Sequence, residues 1–255
     1  MSAGTPRGRF VWFDLMTPDP KAAPAFYSAV AGWGTQAWDG AMPYTMWTNG
    51  EQPLGGIMEV QPPGTPAHWL AYISTPNVDE TTKDAEGIGA RVLVPPTDIP
   101  NVGRFAVLSD PQGAVFAAFT SSGNAPGHEG PPTVGEFSWY ELATHDSPAA
   151  FRFYERLFGW EKTVSADMGE LGMYHMYGRN GVEMGGMFNK PAAMPGPPAW
   201  LYYIMVDDIQ RAMDAVKAKG GQVLMGPHEV PGGDLIAQCL DPQGAAFALH
   251  AKKKN

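Results

Sequence analysis

The chain repeats itself, and the repeat limits its fold more than any other feature. Trp12-Phe13-Asp14-Leu15-Met16-Thr17-Pro18-Asp19 is echoed by Trp139-Tyr140-Glu141-Leu142-Ala143-Thr144-His145-Asp146. Phe26-Tyr27 and Gly32-Trp33 return as Phe153-Tyr154 and Gly159-Trp160. Leu54-Gly55-Gly56-Ile57 returns as Met184-Gly185-Gly186-Met187, and Trp69-Leu70-Ala71-Tyr72 as Trp200-Leu201-Tyr202-Tyr203. Asp110-Pro111-Gln112-Gly113 returns as Asp241-Pro242-Gln243-Gly244. The offset grows from 127 (139 − 12) to 131 (241 − 110), so short loop insertions separate collinear copies. Two domains are expected, residues 8–121 and 134–251. The Gly-, Pro- and Ser-rich stretch 122–133 between them reads as an exposed linker.

Each copy reads as two βαβββ modules. The aromatic-rich stretch Phe10 to Met16 predicts a strand. Asp19 then suits an N-cap with Pro20 at the first helical position, and Gly32 suits the stop. Phe26, Tyr27 and Val30 stand at helical spacing and should cover the sheet. Short strands are expected around Gln36, Tyr44 and Gly55, and a second module opens at His68. Its helix runs from about Asn77 to Glu86, with strands near Arg91, Arg104 and Ala114. The clearest helix in the second copy is Asp208 to Lys219, where Ile209, Met213 and Val216 form the apolar stripe. The expected class is α+β, with helices on the outside of curved mixed sheets.

Composition removes several function classes. The formal charge is −9, from 17 Lys and Arg against 26 Asp and Glu. That balance opposes nucleic-acid binding. No stretch has the length of a membrane span, and residues 1–9 carry no apolar core of a secretion signal. The single cysteine, Cys239, excludes an intramolecular disulfide and reads as a buried strand thiol. A cytoplasmic protein is expected.

With the opening motif and the Asp-Pro-Gln-Gly turn present in both copies, the chain resembles the vicinal oxygen chelate superfamily of glyoxalases, bleomycin-resistance proteins and extradiol dioxygenases. The resemblance covers nearly the whole chain, twice, and is nearest to two-domain bacterial glyoxalase-like proteins. It implies paired modules forming a cup-shaped sheet around a small-molecule site. It also implies metal ligands, usually His, Glu or Gln, at matched points on the cup strands. Those points fall on Trp12, Trp69 and Ala117 in one copy and on Trp139, Trp200 and Ala248 in the other. Indole nitrogen is a donor only, and alanine has no donor atom for a metal. No metal site and no cofactor are therefore expected. The six histidines, His68, His128, His145, His175, His228 and His250, show no ligand spacing and read as ordinary surface or hydrogen-bonded residues.

Strand alternation puts Asp14 on the face of Trp12 and Glu141 on the face of Trp139. Either carboxylate, beside an indole in a cup, is a candidate general base or acid, or a structural acceptor. Tyr44 and Met46 match Tyr174 and Met176 on a third strand. With Trp12, Trp69, Trp139 and Trp200 they form the candidate ligand-binding set. Met42, Met58, Met173 and Met187 fall near the same strands. The glycine pairs 55–56 and 185–186 suit either a bulge or a close approach. Arg104 and Arg179 are candidates for anchoring an acidic ligand, with surface positions as the alternative. Soft methionine and flat aromatics suit a planar aromatic or amphipathic small molecule. The leading expectation is a metal-independent small-molecule-binding protein. A lyase or isomerase using Asp14 or Glu141, and a metal enzyme with other ligands, stand beside it. A monomer whose two copies pair internally, or a homodimer, fits the duplication.

Overall fold

The computed structural model describes residues 5–40, 43–123, 127, 130–169 and 172–254. The first copy runs β1 (Phe10–Thr17), α1 (Ala23–Ala31), β2 (Gly34–Ala37), β3 (Thr45–Asn49), β4 (Gln52–Glu59), β5 (His68–Ser74), α2 (Val78–Gly87), β6 (Arg91–Ile99), β7 (Gly103–Ser109) and β8 (Val115–Ser121). The second repeats the order as β9 (Phe137–Thr144), α3 (Ser147–Phe158), β10 (Glu161–Asp167), β11 (Met173–Arg179), β12 (Val182–Asn189), β13 (Ala199–Met205), α4 (Ile209–Ala218), β14 (Gln222–Glu229), β15 (Leu235–Leu240) and β16 (Ala246–Ala251). The class is α+β, with one element order used twice. No helix among the described residues is long and apolar enough to cross a membrane.

Local sequence explains the helix ends. Asn77 caps α2 by accepting from the backbone of Asp79 and Glu80, whose charges also suit a helix N-terminus. Asp146 caps α3 and Asp208 caps α4 in the same way. Asp19 departs from its expected role. Its side chain accepts from the amides of Lys21 and Ala22 in a turn, and α1 begins only at Ala23. The same Asx geometry that caps a helix here closes a turn one step earlier. Gly32 and Gly159 end α1 and α3 in the left-handed conformation, at φ 75° and 67°, where a Cβ would be strained.

The strands form two eight-stranded mixed sheets, in the orders β2-β3-β4-β1-β5-β8-β7-β6 and β10-β11-β12-β9-β13-β16-β15-β14. Inside each sheet β1 lies parallel to β4 and β5 to β8, and β9 to β12 and β13 to β16. The packing units follow another division. One contains Met1–Val11, Ala71–Pro126 and Tyr140–Trp200, and the other Trp12–Leu70, Gly127–Trp139 and Leu201–Asn255. Each therefore joins the first module of one copy to the second module of the other.

Each unit has its own aromatic core. In the second, Phe13, Trp33, Trp69 and Phe137 pack with ring centroids 3.9–5.9 Å apart. In the first, Tyr140 stacks on Phe10 at 4.0 Å, and Trp160 lies 4.5 Å from Tyr177 and 6.0 Å from Trp200. Two sequence motifs meet inside each core. Tyr27, from the Phe-Tyr pair of α1, donates to Asp241 of the distant Asp-Pro-Gln-Gly turn at 3.2 Å, and the Trp69 indole donates to Tyr27. Tyr154 donates to Asp110 at 3.1 Å, and Trp200 donates to Tyr154. The other oxygen of each aspartate holds its own turn together through backbone amides. Burial, the largest influence, raises both aspartate pKa values, and these hydrogen bonds work against it.

Candidate functional site

The face of β1 that looks away from the aromatic core carries a closed polar group. Tyr44 stands just before β3 and donates to Asp14 Oδ1 at 2.5 Å. The Trp12 indole N–H is shared between the Tyr44 hydroxyl, at 2.8 Å, and Asp14 Oδ1, at 3.1 Å. Asp14 is only 2% exposed. Burial, and then the Asp14 charge, raise the Tyr44 pKa far above the ordinary phenol value. Tyr44 therefore stays a neutral donor at any physiological pH.

Glycine makes this geometry possible. Asp14, Gly56 and Met46 are register partners in a line across β1, β4 and β3. A methyl group on Gly56 would overlap the Tyr44 hydroxyl and ring. One on Gly55 would overlap the Phe13 carbonyl on the neighbouring strand. The pair thus serves a close approach twice: Gly55 admits a backbone, and Gly56 a flat ring.

The second copy builds the same arrangement. Glu141, Gly186 and Met176 line up across β9, β12 and β11. Tyr174 lies over Gly186 and donates to Glu141 Oε2 at 2.9 Å. Glu141 is half-buried, where Asp14 is fully enclosed. Trp139, half-buried, stands on the Glu141 face by alternation.

Trp69 and Trp200 stand apart from these groups. Trp69 packs with Trp33, Trp47 and Phe137 on the Phe13 side, opposite to Trp12, and Trp200 belongs to the Tyr154 and Trp160 cluster. Alternation along β5 turns its neighbours His68 and Leu70 the other way. Met187 is fully buried, Met173 is exposed, and Met42 lies outside the described residues. Arg104 bonds Asp79 at 2.9 Å and Asp98 at 2.8 Å on the surface, and Arg179 donates to the Arg7 carbonyl. Both arginines are already engaged away from the Tyr-carboxylate groups. His68 bonds the Pro66 carbonyl, His175 bonds Ser165, and His250 bridges Ser138 and Asp234. His145 and His228 are exposed, and His128 lies outside the described residues.

These donor sets do not fit a divalent ion. Trp12 offers no lone pair, and Asp14 Oδ1 already accepts from two donors. Among the described residues, no three His, Cys, Asp or Glu side chains converge as metal ligands. What the groups offer instead is a flat indole edge, a neutral phenol and a fixed carboxylate on one strand face. They can stack, accept and donate.

Comparison with known proteins shows the family. Residues 136–249 match the family described as the glyoxalase/bleomycin resistance protein/dioxygenase superfamily, and residues 10–119 match a glyoxalase-like domain. The chain is 30% identical over 262 residues to the anthracycline biosynthesis protein DauV of Streptomyces sp. (strain C5), covering 95% of this chain and 92% of that one. It is 43% identical over 112 residues to the putative glyoxylase CFP32 of Mycobacterium tuberculosis (strain CDC 1551 / Oshkosh), 43% of each chain. Among solved structures, the Mn(II)-bound glyoxalase from Novosphingobium aromaticivorans superposes with a TM-score of 0.66 at 16% identity, covering 100% of this chain and 84% of that one. The 2,3-dioxygenase LapB from Pseudomonas sp. KL28 gives 0.64 at 13% identity, covering 100% and 94%. At such identities the structural likeness is one of fold.

Proposed function

Because the chain belongs to the glyoxalase/bleomycin resistance protein/dioxygenase superfamily, we propose that it binds a planar aromatic or amphipathic small molecule without a divalent metal. The ligand would lie against Trp12 and Tyr44 in one copy and against Tyr174 in the other. The observation that carries this reading is the Trp12–Tyr44–Asp14 group, a hydrogen-bonded indole, phenol and carboxylate on one strand face. Met46 and Met176 border the two groups and give a soft, adaptable wall. The near full-length relative named for anthracycline biosynthesis supports a fused-ring aromatic as the ligand class.

The test is a fluorescence titration with planar aromatics, anthraquinones first. Saturable quenching at one or two equivalents is expected, and Trp12→Phe should lose part of the signal. Tyr44→Phe removes the donor that fixes Asp14 and should weaken binding about tenfold. No response across a broad panel would reject the reading.

Glu141 supports a second reading, proton transfer in a lyase or isomerase. It is less enclosed than Asp14 and accepts the Tyr174 hydroxyl on Oε2. Asp14 is the weaker base candidate, because it is only 2% exposed and Oδ1 already accepts from Trp12 and Tyr44. Glu141→Gln should abolish turnover of any substrate found while leaving its binding intact. Undiminished turnover in that variant would eliminate Glu141 as the base.

A further inference from the structure

The repeat supplies its own comparison at the C-terminal ends of α1 and α3. The last carbonyls of a helix have no partner within it and carry partial negative charge. At the end of α3, Arg7 answers them: Nε donates to the Leu157 carbonyl at 2.9 Å and Nη2 to the Arg156 carbonyl at 2.6 Å. Arg179 donates to the Arg7 carbonyl, and Trp160 to that of Gly8.

The other copy reproduces this frame with Asn49 as the donor in place of Arg179 and Val134 in place of Arg7. Asn49 donates to the Val134 carbonyl, and Trp33 to that of Gly135. Val134 therefore occupies the place of Arg7, and Ala29 and Val30 occupy the places of Arg156 and Leu157, each at an offset of 127 (134 − 7, 156 − 29, 157 − 30). Valine has no donor. Where Arg7 fills the end of α3, a cavity of about 380 Å³ opens at the end of α1, lined by Ala29, Val30, Asn49, Val134, Asp207 and Asp208 among others. Arg211 also lines it, and Lys254 Nζ lies 3.9 Å from Asp208 Oδ2, so Asp208 already has cations beside it. The preference for a cation rests on the helix carbonyls, as it does for Arg7.

We infer that this cavity is a binding site for a small guanidinium compound, whose planar N–H donors bond the Ala29 and Val30 carbonyls as Arg7 bonds those of α3. The site is separate from the Trp12–Tyr44 face and independent of the aromatic-ligand reading. A planar guanidinium suits two successive carbonyls better than a single-point ammonium does.

The test titrates the full chain with N-ethylguanidinium by NMR, with neutral ethylurea as control. Shifts in Val30 and Val134 with N-ethylguanidinium only are expected. Val134→Arg, which supplies the side chain that position 7 has, should weaken binding about tenfold or more. Arg7→Val should create a second site and raise the stoichiometry from one to two. Blocked arginine amide, compared with N-ethylguanidinium, separates a protein side chain from a free compound; tighter binding of the free compound is expected, and tighter binding of the arginine amide would overturn the small-molecule assignment. Equal binding of ethylurea, unchanged affinity in Val134→Arg, or one site in Arg7→Val would overturn the inference.

Discussion

Gly56 has no side chain, yet it decides where a side chain acts. Tyr44 reaches Asp14 only because the strand beneath its ring is bare. Gly56→Ala should therefore push Tyr44 aside and cost about 1–3 kcal/mol, the penalty of a displaced buried hydrogen bond. In a Tyr44→Ala background the same substitution should cost little, because the obstructed ring is gone. Denaturant unfolding of the four proteins measures that coupling, and additive losses would contradict it. Gly55→Ala differs, since its methyl meets a backbone carbonyl that cannot swing away. The glycine pair was visible in the sequence, and so was its choice between bulge and close approach. What it approached was not, because the ring belongs to a residue 12 positions away (56 − 44). The placement of Trp69 was hidden for a related reason. Alternation gives two faces but does not say which face a strand turns to the helix, and a shift of one residue exchanges them.

At the scale of elements, the Phe-Tyr pair and the Asp-Pro-Gln-Gly turn were legible as signatures but not as partners. Sequence similarity matched each motif with its own copy, whereas Tyr27 bonds Asp241 and Tyr154 bonds Asp110. Tyr27→Phe and Tyr154→Phe should each cost about 1–3 kcal/mol, because a buried carboxylate and a buried indole N–H lose a partner together. Comparable losses in the two variants, read by thermal unfolding, would reflect the symmetry. The aspartates also give a pH signature. Their raised pKa values mean that the folded state holds these protons more tightly than the unfolded chain. The resulting stability is complete below about pH 4 and is lost as pH rises through the raised values. The difference in stability between the wild type and Asp110→Asn should follow that slope, and a flat difference between pH 4 and 7 would contradict it. The helix ends are mostly legible in the sequence because caps are local, as at Asn77, Asp146 and Asp208. α1 is the exception, since Asp19 closes a turn where the sequence suggested a cap.

For the whole molecule, the repeat divides the sequence and the cores divide it differently. Cys239 reports on one of those cores. Burial pushes its thiol up to about 12, and it is fully enclosed. A disulfide reagent at pH 8 should leave it untouched in the native protein and label it once in denaturant. Rapid native labelling would mean that the core opens. Residues 1–126 alone carry the first module of one unit and the second module of the other. That fragment should not persist as a stable monomer, and sedimentation should find a dimer or aggregate. A stable, folded monomer would show that the Tyr–Asp locks are dispensable.

The same interleaving bears on how the protein is made. Strand β1 and helix α1 leave the ribosome well ahead of the segment that completes their core, which begins at Leu201. Synthesis must therefore run past Leu201 before the aromatic residues of that core are covered. Until then Trp33, Trp47 and Trp69 wait in a half-built unit, and nascent chains risk sticking to one another. A slow stretch of translation before Leu201, or a chaperone on the first copy as it emerges, would matter more here than in a pair of domains that each close on their own.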